Sequence, residues 1–185
     1  LCRDWSSDVC SSDLSDATVR LRKSGNRKTA LPVDQPISLF ALLRDYVELR
    51  AVATRSQIES LAAYTQCPPE RTKLAALAGA DEAAAARYRD QVLGRRVALI
   101  DLLEECPACA MPLGVYLEML PPLAPRYYSI SSSPIADARR CSITVAIVEG
   151  EARSGHGVYR GVCSNHLLGQ AAGGDAVAGL RQVLL

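Results

Sequence analysis

Residues 125–134 read PRYYSISSSP, and the interpretation of the whole chain starts from this stretch. It places an arginine, two tyrosines and four serines together in a chain that has seven tyrosines and one phenylalanine. The alternation predicts a strand over residues 126–132. In a strand, Arg126 and Tyr128 would share one face and Tyr127 would lie on the other. A fixed cation beside an aromatic ring favours a binding surface for a flat, anionic ligand.

Composition excludes several classes of function. The 185 residues are enough for one domain with an apolar core, or for one domain with an insertion. The formal net charge of +1 does not favour binding to nucleic acid or to a strongly acidic partner. No apolar run approaches the roughly 18 residues of a membrane span, and no secretion signal is evident. We therefore expect a cytoplasmic protein that binds neither nucleic acid nor a membrane.

The first residues differ from the rest of the chain. Residues 4–14 read DWSSDVCSSDL and have no apolar period. One back-translation of this segment resembles a reading frame of a common sequencing-library adapter, and a natural polar tail is the alternative. We therefore assign residues 1–14 to non-native sequence, exclude them from fold reasoning, and expect the chain to be a fragment.

The cysteines do not form a disulfide scaffold. Setting Cys2 and Cys10 aside leaves five, an odd number at low density. Cys106 and Cys109 have the C-x-x-C spacing of redox pairs and of half zinc sites. A zinc site needs four ligands, and the sequence has no second C-x-x-C pair. We therefore expect no metal site and favour buried thiols, with a redox pair as the alternative.

The middle of the chain has helical periodicity. Residues 37–120 carry apolar side chains at spacings of three and four, which predicts a helical subdomain. Residues 54–57, TRSQ, have the form of a capping box in front of a helix. The helix-breaking pairs Pro68-Pro69 and Pro121-Pro122 predict helix boundaries.

The pattern changes to a period of two after residue 125. Strands are predicted over residues 126–132, 142–148 and 158–162, with a turn over residues 149–157. A short strand over residues 18–22 and a loop over residues 23–36 precede the helices. Strands that follow a block of helices predict an α+β protein in which the helices are an insertion or a neighbouring subdomain.

A second anion-binding feature follows the predicted strands. Gly161 precedes a predicted helix that Ser164 would cap and that Gly173 and Gly174 would end, before a strand-like start at residues 175–185. Free N–H groups at a helix start favour anions. Together with Arg126 and the tyrosines, this favours a dinucleotide ligand. In the simpler alternative, the tyrosines are half-buried strand residues and Ser164 only caps a helix.

These motifs resemble those of a known family. RYYS followed by ISSSP resembles the R-x-Y-S flavin motif of ferredoxin-reductase-like FAD domains, and GVCS resembles their G-x-x-[ST] pyrophosphate segment. The segments YVELRAVATRSQ, CPPE, CPACAMPL and SITVAIVEGEARSGHGVYRGVCSN resemble diflavin NADPH–haemoprotein reductases, in particular the reductase half of self-sufficient bacterial fatty-acid monooxygenases. The resemblance covers residues 17–177.

The resemblance implies a role for each site residue. Arg126 would pair with the FAD pyrophosphate, and Tyr128 would stack on the isoalloxazine ring. Tyr127 would lie along the cofactor. Ser129 would be the catalytic residue, near flavin N5, where hydride arrives. The other implied FAD-binding residues belong to one strand and one loop: Ile143, Thr144, Val145, Gly161, Val162, Cys163 and Ser164.

The resemblance also implies a fold. It is part of an antiparallel Greek-key β-barrel with an inserted α-helical connecting subdomain. Residues 15–36 would supply a strand and loop of the barrel, residues 37–120 the connecting subdomain, and residues 121–185 further barrel strands and the pyrophosphate helix. Several strands needed to close the barrel are not recognised in the sequence.

The implied function is electron transfer. In the family, NADPH reduces FAD, and electrons then pass singly through FMN to a haem protein. A flavodoxin-like FMN domain, an NADPH-binding domain and a haem domain are therefore expected in the parent chain, and this segment alone should have little activity. Two alternatives remain: a non-catalytic helical interaction fragment that uses residues 81–93, and a reductase for another acceptor such as sulfite or a ferredoxin.

Overall fold

A computed structural model describes residues 17–22 and 31–170, in two compact units. Unit 1 ends at Ala124 and unit 2 begins at Pro125. The adapter interpretation of residues 1–14 and the expectations for Gly173, Gly174 and residues 175–185 lie outside the described residues.

Unit 1 combines one small sheet with six α-helices in its described part. The sheet pairs two strands antiparallel, with Val19 opposite Ile37. Helices occupy the stretch whose periodicity predicted them, except that its first residues lie in a strand. The elements are β1 Thr18–Arg20, β2 Pro36–Ser38, α1 Leu39–Asp45, α2 Arg55–Tyr64, α3 Pro68–Ala78, α4 Glu82–Arg87, α5 Leu99–Glu105 and α6 Leu113–Met119.

Local signals in the sequence set the helix boundaries. Thr54 Oγ1 accepts a hydrogen bond from Gln57 N at 3.3 Å, and Gln57 Oε1 accepts one from Thr54 N at 2.7 Å. The capping box predicted from TRSQ is therefore confirmed. Helix α3 begins at Pro68. The first N–H group of a helix has no partner within the helix, so proline, which lacks this group, loses no hydrogen bond there.

The core of unit 1 lies between the apolar faces of its helices. Gln57 also ties α2 to the end of α6, because its Nε2 donates to Met119 O at 2.6 Å. In the alanine-rich stretch, Ala84 is fully buried in the core, whereas Ala83 is exposed. The largest fully buried apolar side chains are Leu42, Ile58, Leu61, Leu74, Leu99 and Leu117.

A π-helical segment, Tyr88–Leu93, continues α4. Its wider turns are visible in the bond from Gly94 N to Arg89 O, at 2.8 Å, which spans five residues. Tyr88 anchors the segment, because its hydroxyl donates to Ala53 O at 2.8 Å and the Arg55 guanidinium lies 5.1 Å from its ring centre.

A buried charge fixes the start of α5. Asp101 is 1% exposed, and its Oδ1 accepts a hydrogen bond from Arg50 Nη1 at 2.6 Å. Its Oδ2 accepts from Ala98 N at 2.9 Å. Tyr116 is 8% exposed, and its buried hydroxyl has no hydrogen-bond partner. Burial, and secondarily the charge of Asp101, raises the pKa of Tyr116 to about 12.

Replacing this orphaned hydroxyl should stabilise unit 1. Tyr116→Phe removes a buried donor without a partner, so the free energy of unfolding should rise by about 1 kcal/mol at neutral pH. In the wild type, folded Tyr116 keeps its proton between about pH 10 and about pH 12, whereas the unfolded chain loses it. The wild type should therefore lose stability over this interval, and the variant should lose less.

Urea unfolding followed by circular dichroism at several pH values checks both effects. Tyr64→Phe, at an exposed ring on α2, is the matched control and should keep the wild-type pH dependence. If the free energies of unfolding of the wild type and Tyr116→Phe fell equally with pH above pH 10, the raised pKa of Tyr116 would be contradicted.

The capping box should also carry measurable stability. Thr54→Ala removes the side-chain acceptor for Gln57 N and should lower the free energy of unfolding by about 1 kcal/mol. Ser60→Ala, in the same helix, serves as the control and should change it by about 0.5 kcal/mol or less. Equal effects of the two substitutions in urea unfolding would argue against the cap.

Unit 2 contains a hairpin followed by a helix. The hairpin consists of β3 Glu149–Glu151 and β4 Val158–Arg160, and the helix is α7 Val162–Leu168. The turn between the strands is closed by Ala152 N donating to Gly157 O at 2.9 Å. Gly155 and Gly157 have φ values of 86° and 66°, a region that favours glycine, which explains their positions in the turn.

The strand predictions in unit 2 are partly wrong. Within the described residues, segments 126–132 and 142–148 meet at one antiparallel bridge, between Ile130 and Ile143. Regular pairing begins instead at Glu149, inside the predicted turn. Alternation of side chains shows that a segment suits a strand, but it does not specify a partner that supplies the ladder of hydrogen bonds.

The α+β class is confirmed, and the strands of the described residues form two separate two-stranded sheets with no closed barrel. Helix α7 ends at Leu168, with Gly169 as its C-cap, which is earlier than predicted. Among the described residues, no helix combines the length and apolar character needed to cross a bilayer.

Candidate functional site

The predicted site residues all belong to unit 2, and hydrogen bonds connect the three segments that carry them. The bridge between Ile130 and Ile143 links residues 126–130 to the next segment, and Ser131 N donates to Ser142 O at 2.7 Å. Gly161 N then donates to Val148 O at 2.8 Å. The segment that contains residues 142–148 therefore contacts both other parts of the predicted site.

The RYYS residues differ in exposure. The side chain of Tyr127 is 76% exposed, and Tyr128 is half-buried. Arg126 and Ser129 are exposed. Neither tyrosine lies in a regular strand, so the simpler alternative of two half-buried strand residues matches only the partial burial of Tyr128.

The middle segment offers a mixed surface. Ile143 and Thr144 are exposed, and Val145 is half-buried. Ile143 pairs with Ile130, which directly follows the RYYS motif, so the apolar side chain of Ile143 lies beside that motif. An exposed apolar side chain beside a tyrosine-rich segment suits a planar ligand.

The backbone at Gly161 leaves no room for a side chain. A Cβ atom at this position would lie 2.8 Å from Ser164 Oγ and 3.0 Å from Val148 Cβ. The glycine is therefore needed so that the loop before α7 can approach the Val148 backbone.

The prediction that Ser164 caps the helix is wrong. The helix begins at Val162 with Gly161 as its N-cap, so Ser164 lies in the first turn. Its side chain is buried, at 4% exposure, and its hydroxyl accepts from Val148 N and donates to Gly161 O, both at 3.2 Å. The hydroxyl ties the loop to the neighbouring strand segment because the close approach at Gly161 brings Val148 within reach.

Asn165 also holds the loop, a role that the sequence did not predict for it. Its Nδ2 donates to Val148 O at 3.0 Å and to Gly161 O at 2.9 Å. The sequence signal for this role was the position of Asn165 directly after the GVCS motif. With Ser164, this side chain fixes the loop from two sides.

The start of α7 presents backbone donors. Its first helical hydrogen bond runs from Asn165 N to Gly161 O at 3.1 Å, so the amides of Val162 and Cys163 precede any helical partner. Val162 is exposed and Cys163 is half-buried. Such amides are suitable donors to an anionic oxygen.

The residue set fits a flavin dinucleotide. A guanidinium suits a pyrophosphate, tyrosine rings suit an isoalloxazine system, and the amides after Gly161 suit further phosphate oxygens. The predicted site residues include no carboxylate, imidazole or amine. Their chemistry is that of binding and orienting, so a bound cofactor would have to supply any redox reaction.

The sequence matches the FAD binding domain family over residues 8–166. The matched range begins inside residues 4–14, for which the adapter interpretation stays a prediction. The bifunctional cytochrome P450/NADPH–P450 reductase 1 of Bacillus subtilis is 48% identical over 163 residues, which are 88% of this chain and 15% of that protein. Reductase 2 of the same organism is 46% identical over 159 residues, or 85% of this chain and 15% of that protein.

The corresponding bifunctional protein of Bacillus cereus is 46% identical over 149 residues, covering 80% of this chain and 14% of that protein. This chain therefore spans about 15% of the length of the first of these relatives. Because the family match extends over most of the sequence and includes all three segments of the site, the chain belongs to the FAD binding domain family.

Proposed function

We propose that this chain is the FAD-binding portion of an NADPH-dependent flavoprotein reductase that passes electrons to a haem protein. The observation that carries the proposal is the family match over residues 8–166. It is supported by the similarity to bifunctional cytochrome P450/NADPH–P450 reductases, whose names join a haem protein and its reductase in one protein. The parent would then contain a flavodoxin-like FMN domain, an NADPH-binding domain and a haem domain.

The RYYS segment would hold the middle and the ring of the cofactor. The exposed guanidinium of Arg126 would bind the pyrophosphate through two parallel hydrogen bonds. The half-buried ring of Tyr128 would stack on the isoalloxazine, and the exposed ring of Tyr127 would lie along the cofactor.

The loop at Gly161 would hold the pyrophosphate from the other side. The amides of Val162 and Cys163 would donate to its oxygens. The hydroxyl of Ser164 already bonds to Val148 N and Gly161 O, so its proposed role is to hold the loop in place for these amides.

The reacting end of the cofactor would lie near Ser129. When bound, FAD accepts a hydride from a nicotinamide and releases electrons one at a time. The exposed hydroxyl of Ser129 would donate a hydrogen bond near flavin N5 and so orient the ring for hydride arrival. Ile143, Thr144 and Val145 would line the same binding surface.

The fold proposal follows from the same family. We propose that this chain supplies part of an antiparallel Greek-key barrel, that the helices are its connecting insertion, and that the parent is cytoplasmic. Exposed apolar side chains in unit 2, which further barrel strands would cover, support this: Ile130, Ile143, Ile147, Val148 and Val158.

Flavin titration of the purified chain tests the proposed function. We expect FAD to bind with quenching of flavin fluorescence, and riboflavin, which lacks the pyrophosphate, to bind at least tenfold more weakly. NADPH–cytochrome c activity should be absent, because the proposed nicotinamide and FMN sites belong to other domains. Equal affinity for FAD and riboflavin in a chain whose helices are folded by circular dichroism would overturn the proposal.

Substitutions at Arg126 test the phosphate contact. Arg126→Ala should weaken FAD binding by about tenfold to a hundredfold, since a hydrogen bond to a charged group contributes about 1.5–3 kcal/mol. Arg126→Lys should give an intermediate loss, because lysine keeps the charge but not the paired donors. Arg139→Ala, at another exposed arginine of unit 2, should bind FAD like the wild type. An Arg126→Ala variant with unchanged affinity would remove Arg126 from the site.

Substitution of Gly161 tests the loop. Gly161→Ala should weaken FAD binding at least tenfold, because the new Cβ would displace the loop from Val148. Gly150→Ala is the matched control, since a Cβ there has open space. Both variants should keep the wild-type helical circular dichroism signal. Equal affinities of the two variants for FAD would contradict the proposed use of the loop.

A further inference from the structure

Two cysteines lie at the ends of one tight turn in unit 1. Cys106 is the C-cap of α5, with its N–H donating to Leu103 O at 3.3 Å. Cys109 N then donates to Cys106 O at 3.1 Å, closing a four-residue turn. In such a turn the first and last Cα atoms lie within about 7 Å of each other. This overlaps the Cα separation of about 4.4–6.8 Å found in disulfides.

The turn is held in place from outside. Thr65 and Cys109 form an antiparallel bridge, and Ala108 O accepts from Gln66 N at 3.1 Å. Glu70 Oε2 accepts from Ala108 N at 3.2 Å. Because these bonds fix the backbone between the two cysteines, a disulfide between them requires rotation of a side chain and no ordering of a flexible loop.

The two thiols differ in accessibility. Cys106 is 1% exposed, and burial, followed by the charge of Glu70, raises the pKa of its thiol. Cys109 is half-buried, and its Sγ donates to Leu61 O at 3.7 Å, a weak hydrogen bond. An oxidant therefore reaches Cys109 first, and Cys106 is the protected second thiol.

A structural metal site does not fit this turn. Within the described residues, Cys67, Cys106 and Cys109 do not bring three sulfur atoms close enough together to share an ion. A dithiol without a third ligand falls short of a four-coordinate zinc site. Thiol oxidation is the chemistry that two adjacent cysteines support.

We propose that Cys106 and Cys109 form an oxidative modification site at which hydrogen peroxide produces a reversible disulfide. The Cys109 thiolate attacks one peroxide oxygen, the O–O bond breaks, and a sulfenic acid forms on Cys109 with release of hydroxide. The Cys106 sulfur then attacks Cys109 Sγ, forming the S–S bond as water leaves. The two thiols lose two electrons, and the peroxide is reduced to two waters.

The disulfide would form at a junction within unit 1. The turn lies between α5 and α6, and its bridge at Thr65 connects it to the segment between α2 and α3. Rotation of Cys109 Sγ toward Cys106 exchanges its weak bond to Leu61 O for a covalent link. A dithiol reductant would reverse the step by thiol–disulfide exchange. The site is independent of the proposed flavin function.

Peptide mapping of the full chain tests the proposal. Trypsin releases residues 97–126 as one peptide that contains Cys106 and Cys109 and no other cysteine. After peroxide treatment and alkylation, this peptide should lack two hydrogens and carry no alkyl group. After treatment with dithiothreitol it should carry two alkyl groups. Alkylation of both cysteines in peroxide-treated protein, while exposed Cys141 is oxidised, would overturn the proposal.

Variants separate this pair from other thiols. Cys109→Ser should prevent the cross-link, and Cys106→Ala should prevent it and leave Cys109 as an over-oxidised acid. Cys67→Ser and Cys141→Ser are the matched controls and should retain it. Circular dichroism verifies that each variant is folded, and the wild-type peptide map stands even if Cys106→Ala fails to fold. Loss of the cross-link in Cys67→Ser would overturn the assignment of Cys106 as the partner.

Discussion

The close contact between Gly161 and Val148 organises unit 2. It requires a residue without a side chain, and it brings the polar groups of Ser164 and Asn165 within reach of the same backbone. Two side chains and one backbone amide therefore bond to a single residue of the neighbouring segment. That segment also meets the tyrosine-rich stretch at Ile143, so the position of the helix start relative to the aromatic rings depends on this contact.

Local signals in the sequence were sufficient for two helix boundaries of unit 1. The capping box at Thr54 and the start of α3 at Pro68 involve residues within three positions of each other, and both could be read directly. The ion pair of half-buried Arg50 with buried Asp101 could not, because 51 positions separate the two side chains. In the sequence alone, a buried aspartate whose partner is distant cannot be distinguished from an exposed one.

The site was only partly predictable for the same reason. Gly161 was expected to precede a helix, but the close approach to Val148 that requires a glycine there was not evident from the sequence. Ser164 was expected to cap the helix because serine commonly does so, and the nearby backbone of Val148 uses the hydroxyl instead. The strand limits in unit 2 failed because pairing depends on a partner segment, whereas periodicity belongs to one segment alone.

The π-helical segment at Tyr88–Leu93 has a consequence for how this protein tolerates changes in length. Its turns hold more residues than those of an α-helix, so the segment contains about one residue more than an α-helix of the same length would. Deletion of exposed Gln91 would let the backbone relax to ordinary α-helical turns while Tyr88 and Val92 keep their sides of the helix. Helix α5 contains no extra residue of this kind, so a deletion within it would rotate every later side chain of that helix by about 100°.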